Sequence, residues 1–191
     1  IGDHMVSARR ADGTLWCWGR DEWGGLGDGG PNETQPLPVQ VPLAGVKQVS
    51  MSGETTCAVT DAGGVWCWGR NIDSQTGQAQ VDHSWLPSPT QVEGITGAKK
   101  VVNNREHTCA LLEDGTARCW GDQNKGALGN GESASGGTHI PQTVLEGPGG
   151  AAFSGIEDLC AGDQFTCALM EDTSVFCWGT NVSGTLGTSD T

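Results

Sequence analysis

The side chains with the widest chemical scope in this 191-residue sequence are its eight cysteines, and six of them form a pattern. Cys57 and Cys67, Cys109 and Cys119, and Cys167 and Cys177 are each ten residues apart. Midway between the members of each pair lies a polar triplet, Asp61-Ala62-Gly63, Glu113-Asp114-Gly115 or Glu171-Asp172-Thr173. A three-residue hairpin loop there sets Thr60 opposite Gly64, Val59 opposite Val65, Ala58 opposite Trp66 and Cys57 opposite Cys67. If the closing pair is hydrogen-bonded, the cysteines occupy a non-hydrogen-bonded position, whose Cα separation of about 4.5 Å lies within disulfide range. The chemistry expected is oxidation to three cross-strand disulfides, and with it an oxidising compartment: extracellular, cell surface or periplasmic. Two other readings stay open. The six could be reduced thiols packed in the core, or zinc ligands, although zinc sites bring two close pairs together and these lie on separate repeats. Cys17 faces Ser7 where a partner should be, and Cys160 is extra. They pair with each other if the ends of the array meet, and otherwise stay free or pair elsewhere.

The aromatic and titratable residues suggest less. Trp16, Trp18, Trp66, Trp68, Trp120 and Trp178 keep a fixed place beside the cysteines. That regularity fits apolar wedges between repeats better than a sugar-stacking platform. Trp23 and Trp85 fall in variable stretches and are the candidate binding-loop residues. His4, His83, His107 and His139 occupy different parts of the repeat. With no nucleophile elbow, phosphate loop or EF-hand spacing, the expectation is no catalytic, cofactor-binding or metal-binding residues and no enzymatic activity.

The elements that would position these groups recur with the cysteines. Cys17, Cys67, Cys119 and Cys177 are spaced by 50, 52 and 58 residues, a period typical of propellers and solenoids. A strand A is expected at Gly45-Val46-Lys47-Gln48-Val49, Gly97-Ala98-Lys99-Lys100-Val101 and Gly155-Ile156-Glu157-Asp158-Leu159. Strand B follows at Thr56-Cys57-Ala58-Val59 and its equivalents, and strand C is the Cys-Trp-Gly strand. A Gly-x-Leu-Gly turn comes next, degenerate in the second copy as Ser74-Gln75-Thr76-Gly77. Strand D is expected at Pro38-Val39-Gln40-Val41, Pro89-Thr90-Gln91-Val92 and Pro141-Gln142-Thr143-Val144, where a leading proline suits an edge. Four short antiparallel strands per period describe a β-propeller blade, preferred here over a β-solenoid coil. The predicted fold is all-β: four blade repeats in one array over 1–191, approximately 1–44, 45–96, 97–154 and 155–191, the first and last incomplete. Thr173 stands where the other hairpin loops have Gly, so strain or a changed loop is expected there.

The Gly-led strand A, the Thr-Cys-Ala-Leu strand, Asp-Gly, Cys-Trp-Gly-x-Asn and Gly-x-Leu-Gly together resemble the repeat of the regulator of chromosome condensation family, over the whole chain. His107 matches a histidine that family often carries before strand B, where the other copies have Met5, Thr55 and Phe165. The resemblance implies that these four repeats belong to a larger propeller of about seven blades. The family's best-known member is a nucleotide exchange factor for a small nuclear GTPase that docks on chromatin. No residue of an exchange-factor loop is matched here, and the Cys-rich, acidic repeats look more like exported bacterial relatives.

Charge narrows the partners. Ten Lys plus Arg against 23 Asp plus Glu give a net charge of −13, which repels phosphate backbones, so nucleic acid is not an expected partner. No apolar run is long enough for a membrane helix. The expected function is a non-enzymatic extracellular scaffold that binds a protein partner through the loops Asp28 to Gln35, Gln78 to Leu86 and Asn130 to Ile140. Two alternatives are a structural subunit of a surface layer, adhesin or filament, with oligomers, and a carbohydrate-binding propeller using Trp23 or Trp85. Asn32-Glu33-Thr34 and Asn181-Val182-Ser183 are glycosylation sequons.

Overall fold

The computed structural model describes residues 4–30, 33–79 and 84–188. Its strands are β1 (Met5–Arg9), β2 (Leu15–Gly19), β3 (Gln35–Gln40), β4 (Val46–Ser52), β5 (Thr55–Thr60), β6 (Val65–Arg70), β7 (Trp85–Gln91), β8 (Ala98–Asn103), β9 (His107–Leu112), β10 (Ala117–Asp122), β11 (Gly137–Thr143), β12 (Ile156–Gly162), β13 (Phe165–Met170) and β14 (Val175–Gly179). They form four antiparallel meanders, β1-β2-β3, β4-β5-β6-β7, β8-β9-β10-β11 and β12-β13-β14. These are blades 1 to 4 of a β-propeller segment. Among the described residues the only helix is one 3-10 turn, Asn124–Gly126.

The hairpin loops set the register of the central strands. Gly13, Gly63 and Gly115 have φ of 80°, 74° and 76°, and each donates its N–H to the residue three places earlier. Thr173 adopts φ 71° and makes the same bond to the Met170 carbonyl at 2.9 Å. The fourth loop therefore keeps its shape, and the β-branched residue takes the strain, about 1–2 kcal/mol for an L side chain in this region.

The glycine after each Trp has its own cause. Gly69 sits at φ 92°, and a Cβ there would collide with the Glu54 carbonyl, as at Gly19, Gly121 and Gly179 with the carbonyls of His4, Glu106 and Gln164.

Outer strands begin earlier than the sequence reading places them, at Gln35, Trp85 and Gly137 instead of Pro38, Pro89 and Pro141. The reason is a bulge. Cys67 pairs with Thr90 but Gly69 already pairs with Leu86, so Pro87, Ser88 and Pro89 bow outward opposite Trp68. The prolines have no N–H to contribute, and the same register shift recurs at β2–β3 and β10–β11. Trp85 thus lies at the start of an outer strand and not in a loop.

The core lies between blades. Leu15, Cys17, Leu26 and Val41 of blade 1 pack on Val46, Met51, Ala58 and Trp68 of blade 2. Cys57, Val65, Cys67 and Val92 of blade 2 pack on Val101, Ala110 and Trp120 of blade 3. Cys109, Cys119, Leu128 and Val144 of blade 3 pack on Ile156, Leu159, Ala168 and Trp178 of blade 4. Each blade therefore offers its cysteine face forward and its Trp face backward.

A polar joint is set into each apolar contact. The indole N–H groups of Trp68, Trp120 and Trp178 donate to the carbonyls of Gly25, Gln75 and Ala127, at 2.9, 3.0 and 3.1 Å, in the turn of the preceding blade. Thr56 and Thr108 donate their hydroxyls to the first two of these carbonyls, each at 2.8 Å.

Two substitutions test this account with opposite signs. Trp120→Ala empties a fully buried site and removes one donor from Gln75, and should cost about 3–5 kcal/mol by urea denaturation. Thr173→Gly should raise stability by about 1 kcal/mol by relieving the left-handed backbone; no gain would mean the loop carries no strain.

Candidate functional site

Local sequence places the polar groups in three settings, and only one of them faces outward. The buried setting is centred on His107 at the start of β9. Asn104 in the preceding turn accepts the N–H groups of Glu106 and His107 on its Oδ1, at 2.7 and 2.8 Å. Its Nδ2 lies 2.8 Å from His107 Nδ1 and also reaches the Gly162 carbonyl of blade 4. Since that amide nitrogen can only donate, His107 Nδ1 accepts, and Nε2–H donates to Thr166 Oγ1 at 2.7 Å. Burial holds the His107 pKa down at about 4, so the ring is neutral and braces blade 3 against blade 4. Thr166 replaces the joint threonine of the earlier blades, and it serves this ring instead of the turn carbonyl.

The second setting is the turn after strand C. Asn71 accepts the Thr76 N–H on Oδ1 at 3.2 Å and donates Nδ2 to the Gln78 carbonyl at 3.2 Å. Asn181 does likewise with the Leu186 N–H at 2.9 Å and with Thr188 Oγ1 at 3.0 Å, which commits the amide of the second sequon to the fold. In blade 1 the position is Asp21, which is buried and accepts the Leu26 N–H at 2.9 Å but has no amide to donate. Burial, and then the Asp28 charge, push its carboxyl up to about 6.

The cysteines lie on the forward faces. The sulfurs of Cys57–Cys67, Cys109–Cys119 and Cys167–Cys177 are bonded, with Cα separations of 4.1 Å in each case. Cys17 is free and buried opposite Ser7, and burial pushes its thiol up to about 12, with Asp21 and Asp28 adding to the shift. Cys160 is free and exposed.

The outward setting is the rim between blades 2 and 3. There Gln78 and Ala79 of one variable loop meet His139 and Ile140, which lie on the outer strand β11 and not in the expected loop, across a cavity of about 730 Å³ that Glu93 and Arg118 also line. The strand bulge pushes Ile140 outward to 57% exposure, and its counterpart in blade 1, Leu37, to 74%. At the junction of blades 1 and 2 the loop after the turn also touches the next outer strand, with the Gly29 N–H on the Pro87 carbonyl at 3.0 Å. Trp23 and Trp85 are both half-buried. A Cβ added at Gly24 would meet the Trp85 ring, so Trp85 packs on the turn that carries Trp23. His83 and Asn32 lie outside the described residues.

Sequence reasoning missed Glu93 and Arg118 as rim residues. The signal was available for Arg118, which occupies the strand C position held by Trp16 and Trp66 in blades 1 and 2.

These features define a propeller of blade repeats joined by indole-to-carbonyl bonds. The Regulator of chromosome condensation (RCC1) repeat matches residues 12–59 and 114–169, just over half of the chain, and a second description of the same repeat matches 46–75, 99–127 and 156–185. The chain belongs to this family. Ultraviolet-B receptor UVR8 of Arabidopsis thaliana is 31% identical over 98% of this chain and 42% of that protein. E3 ubiquitin-protein ligase HERC2 of Homo sapiens is 32% identical over 94% of this chain and 4% of its own length. Human WBSCR16 superposes with a TM-score of 0.82 at 21% identity, over 98% of this chain and 48% of that one. Prp20p of Saccharomyces cerevisiae, studied for its binding to Gsp1p and histones, gives 0.75 at 18% identity, over 88% and 42%. At these identities the two structures show the fold. The chain spans less than half the length of each of these relatives.

The pKa shifts of Asp21 and His107 give opposite pH dependences. Between its ordinary value of 3.8 and about 6, Asp21 binds its proton more tightly folded than unfolded, so its contribution to stability falls as pH rises through that window. Between about 4 and 6.5, His107 binds its proton more tightly unfolded, so its contribution rises with pH. Asp21→Asn should therefore stabilise the chain above pH 6 and change little near pH 4, leaving a stability that climbs steadily across the His107 window. Urea midpoints of the two chains across that range check it; an equal gain at both ends would mean Asp21 is ionised without penalty.

Proposed function

We propose that this chain is a non-enzymatic recognition scaffold that works outside the cytoplasm and binds a protein partner at its rim, centred on the groove between blades 2 and 3. The observation that carries the reading is the meeting of a variable loop and an outer strand, by way of Gln78 and Ala79 with His139 and Ile140, in one cavity. An exposed aliphatic side chain in a cavity that charged Glu93 and Arg118 also line suits a small protein-binding surface. The outer strands favour side-chain contacts over strand addition, because prolines and a bulge interrupt the edge that an incoming strand would need.

The charge of −13 suits a basic protein surface and opposes nucleic acid. Prp20p offers a family example of protein binding, while the ligase designation of HERC2 belongs to a protein of which this chain spans 4%. Three disulfides support an oxidising location.

A photo-crosslinking residue placed at Gln78 or at Ile140 of the chain, expressed in its own host, should give the same discrete protein adduct from both positions. A matching residue at Glu157, exposed on β12, should give none. Indistinguishable labelling from all three positions would overturn the assignment.

A further inference from the structure

The ladder of blade 4 sets three cysteines in one row. Cys160 on β12 pairs with Cys167 on β13, which pairs with Cys177 on β14. Residues directly opposite each other across a ladder project from the same face, so all three sulfurs share the forward face of the blade. Cys167 and Cys177 occupy the narrow, non-hydrogen-bonded position, with Cα atoms 4.1 Å apart. A residue on the middle strand that leaves its N–H and C=O unused toward one neighbour directs them to the other. The Cys160 and Cys167 position is therefore the hydrogen-bonded kind, with Cα atoms about 5.5 Å apart, which is also within disulfide range. Cys167 can thus be bonded to either neighbour without a change of register.

We propose that this row is a thiol–disulfide exchange site in which Cys160 is the nucleophile. The Cys160 thiol gives its proton to solvent, and the thiolate attacks Cys167 Sγ. The Cys160–Cys167 bond forms as Cys167–Cys177 breaks, and Cys177 leaves as a thiolate that takes up a proton. One thiol and one disulfide are present before and after, so no oxidant or reductant is consumed. The row suits this displacement, because Cys160 and Cys177 lie on strands to either side of Cys167, as attacking and leaving sulfurs must around a central one.

The other blades lack the nucleophile. Ser50 stands opposite Cys57, and Val102 opposite Cys109. The exchange moves the staple from β13–β14 to β12–β13 and places a free thiol on strand C. Blade 4 thereby acquires two covalent forms that differ in which strand carries the free thiol.

The test maps the pairing in the native chain. The protein is alkylated without denaturant, quenched in acid and digested at Asp163 and Glu171, which separates the three cysteines. Two populations are expected: Cys160 alkylated with Cys167–Cys177 intact, and Cys177 alkylated with Cys160 joined to Cys167. Cys160→Ser should abolish the Cys177 label, and Cys177→Ser treated with glutathione disulfide should yield a Cys160–Cys167 bond. Label confined to Cys160, Cys177 label that survives Cys160→Ser, or two thiols left unjoined in Cys177→Ser would each overturn the proposal.

Discussion

Everything in this array hangs on a carbonyl that its own blade leaves to the next one. The turn after strand C closes through left-handed backbone, at Gly24 and Gly27 in blade 1, and directs the Gly25 oxygen toward blade 2. Buried there without a partner, that oxygen would cost about 1–3 kcal/mol. The next blade meets it with an indole N–H and a threonine hydroxyl, and the same indole ring fills the apolar space around it. Trp is the side chain that can do both, since its donor sits on a large apolar body. A single blade has neither the donors for its turn nor cover for its faces, which is why each unit packs on the next and cannot stand singly.

The disulfides do a different job. Each links strands B and C of one blade across a loop already closed by hydrogen bonds, and none crosses from one blade to the next. On the chain-entropy model a loop of that length contributes about 2–3 kcal/mol, by restricting the unfolded chain. Cohesion between blades rests on the Trp joints, the clusters around them and polar clamps near the inner strands. One such clamp is Gln48, whose side-chain amide both donates to and accepts from Val101, at 2.9 Å each way. Blade 1 has the joint carbonyl but Ser7 in place of a cysteine, so it is held to its neighbour without being stapled within itself.

The sequence made the repeat, the strand order and the cysteine register legible, because each rests on local spacing. Counting outward from Asp61-Ala62-Gly63 reaches the Cys57 and Cys67 pair that the ladder contains. What spacing could not show was contact between repeats. The target of the Trp indoles, the bulge that draws Trp85 into an outer strand, and the groove that joins Gln78 to Ile140 all depend on how one sheet lies on the next. The longer third spacing was visible, but not that its extra residues bring Phe153 edge-on to Phe176, with ring centroids 5.3 Å apart. Thr173 was legible as an oddity, and only the structure decided between strain and a new loop.

Departures from the repeat divide by where they point. Asp21 and His107 point inward, and each exchanges one way of satisfying a buried polar group for another, with a visible cost in the Asp21 carboxyl. Arg118, Ile140 and Leu37 point outward, where no joint or staple depends on them. Arg118 takes a Trp position without disturbing the joint, because the indole that reaches the turn carbonyl is two residues further on, at Trp120. The rim end of strand C is therefore free to vary while its inner end is held. A scaffold whose fixed and variable positions alternate along one strand can change what it recognises without altering how its blades are joined.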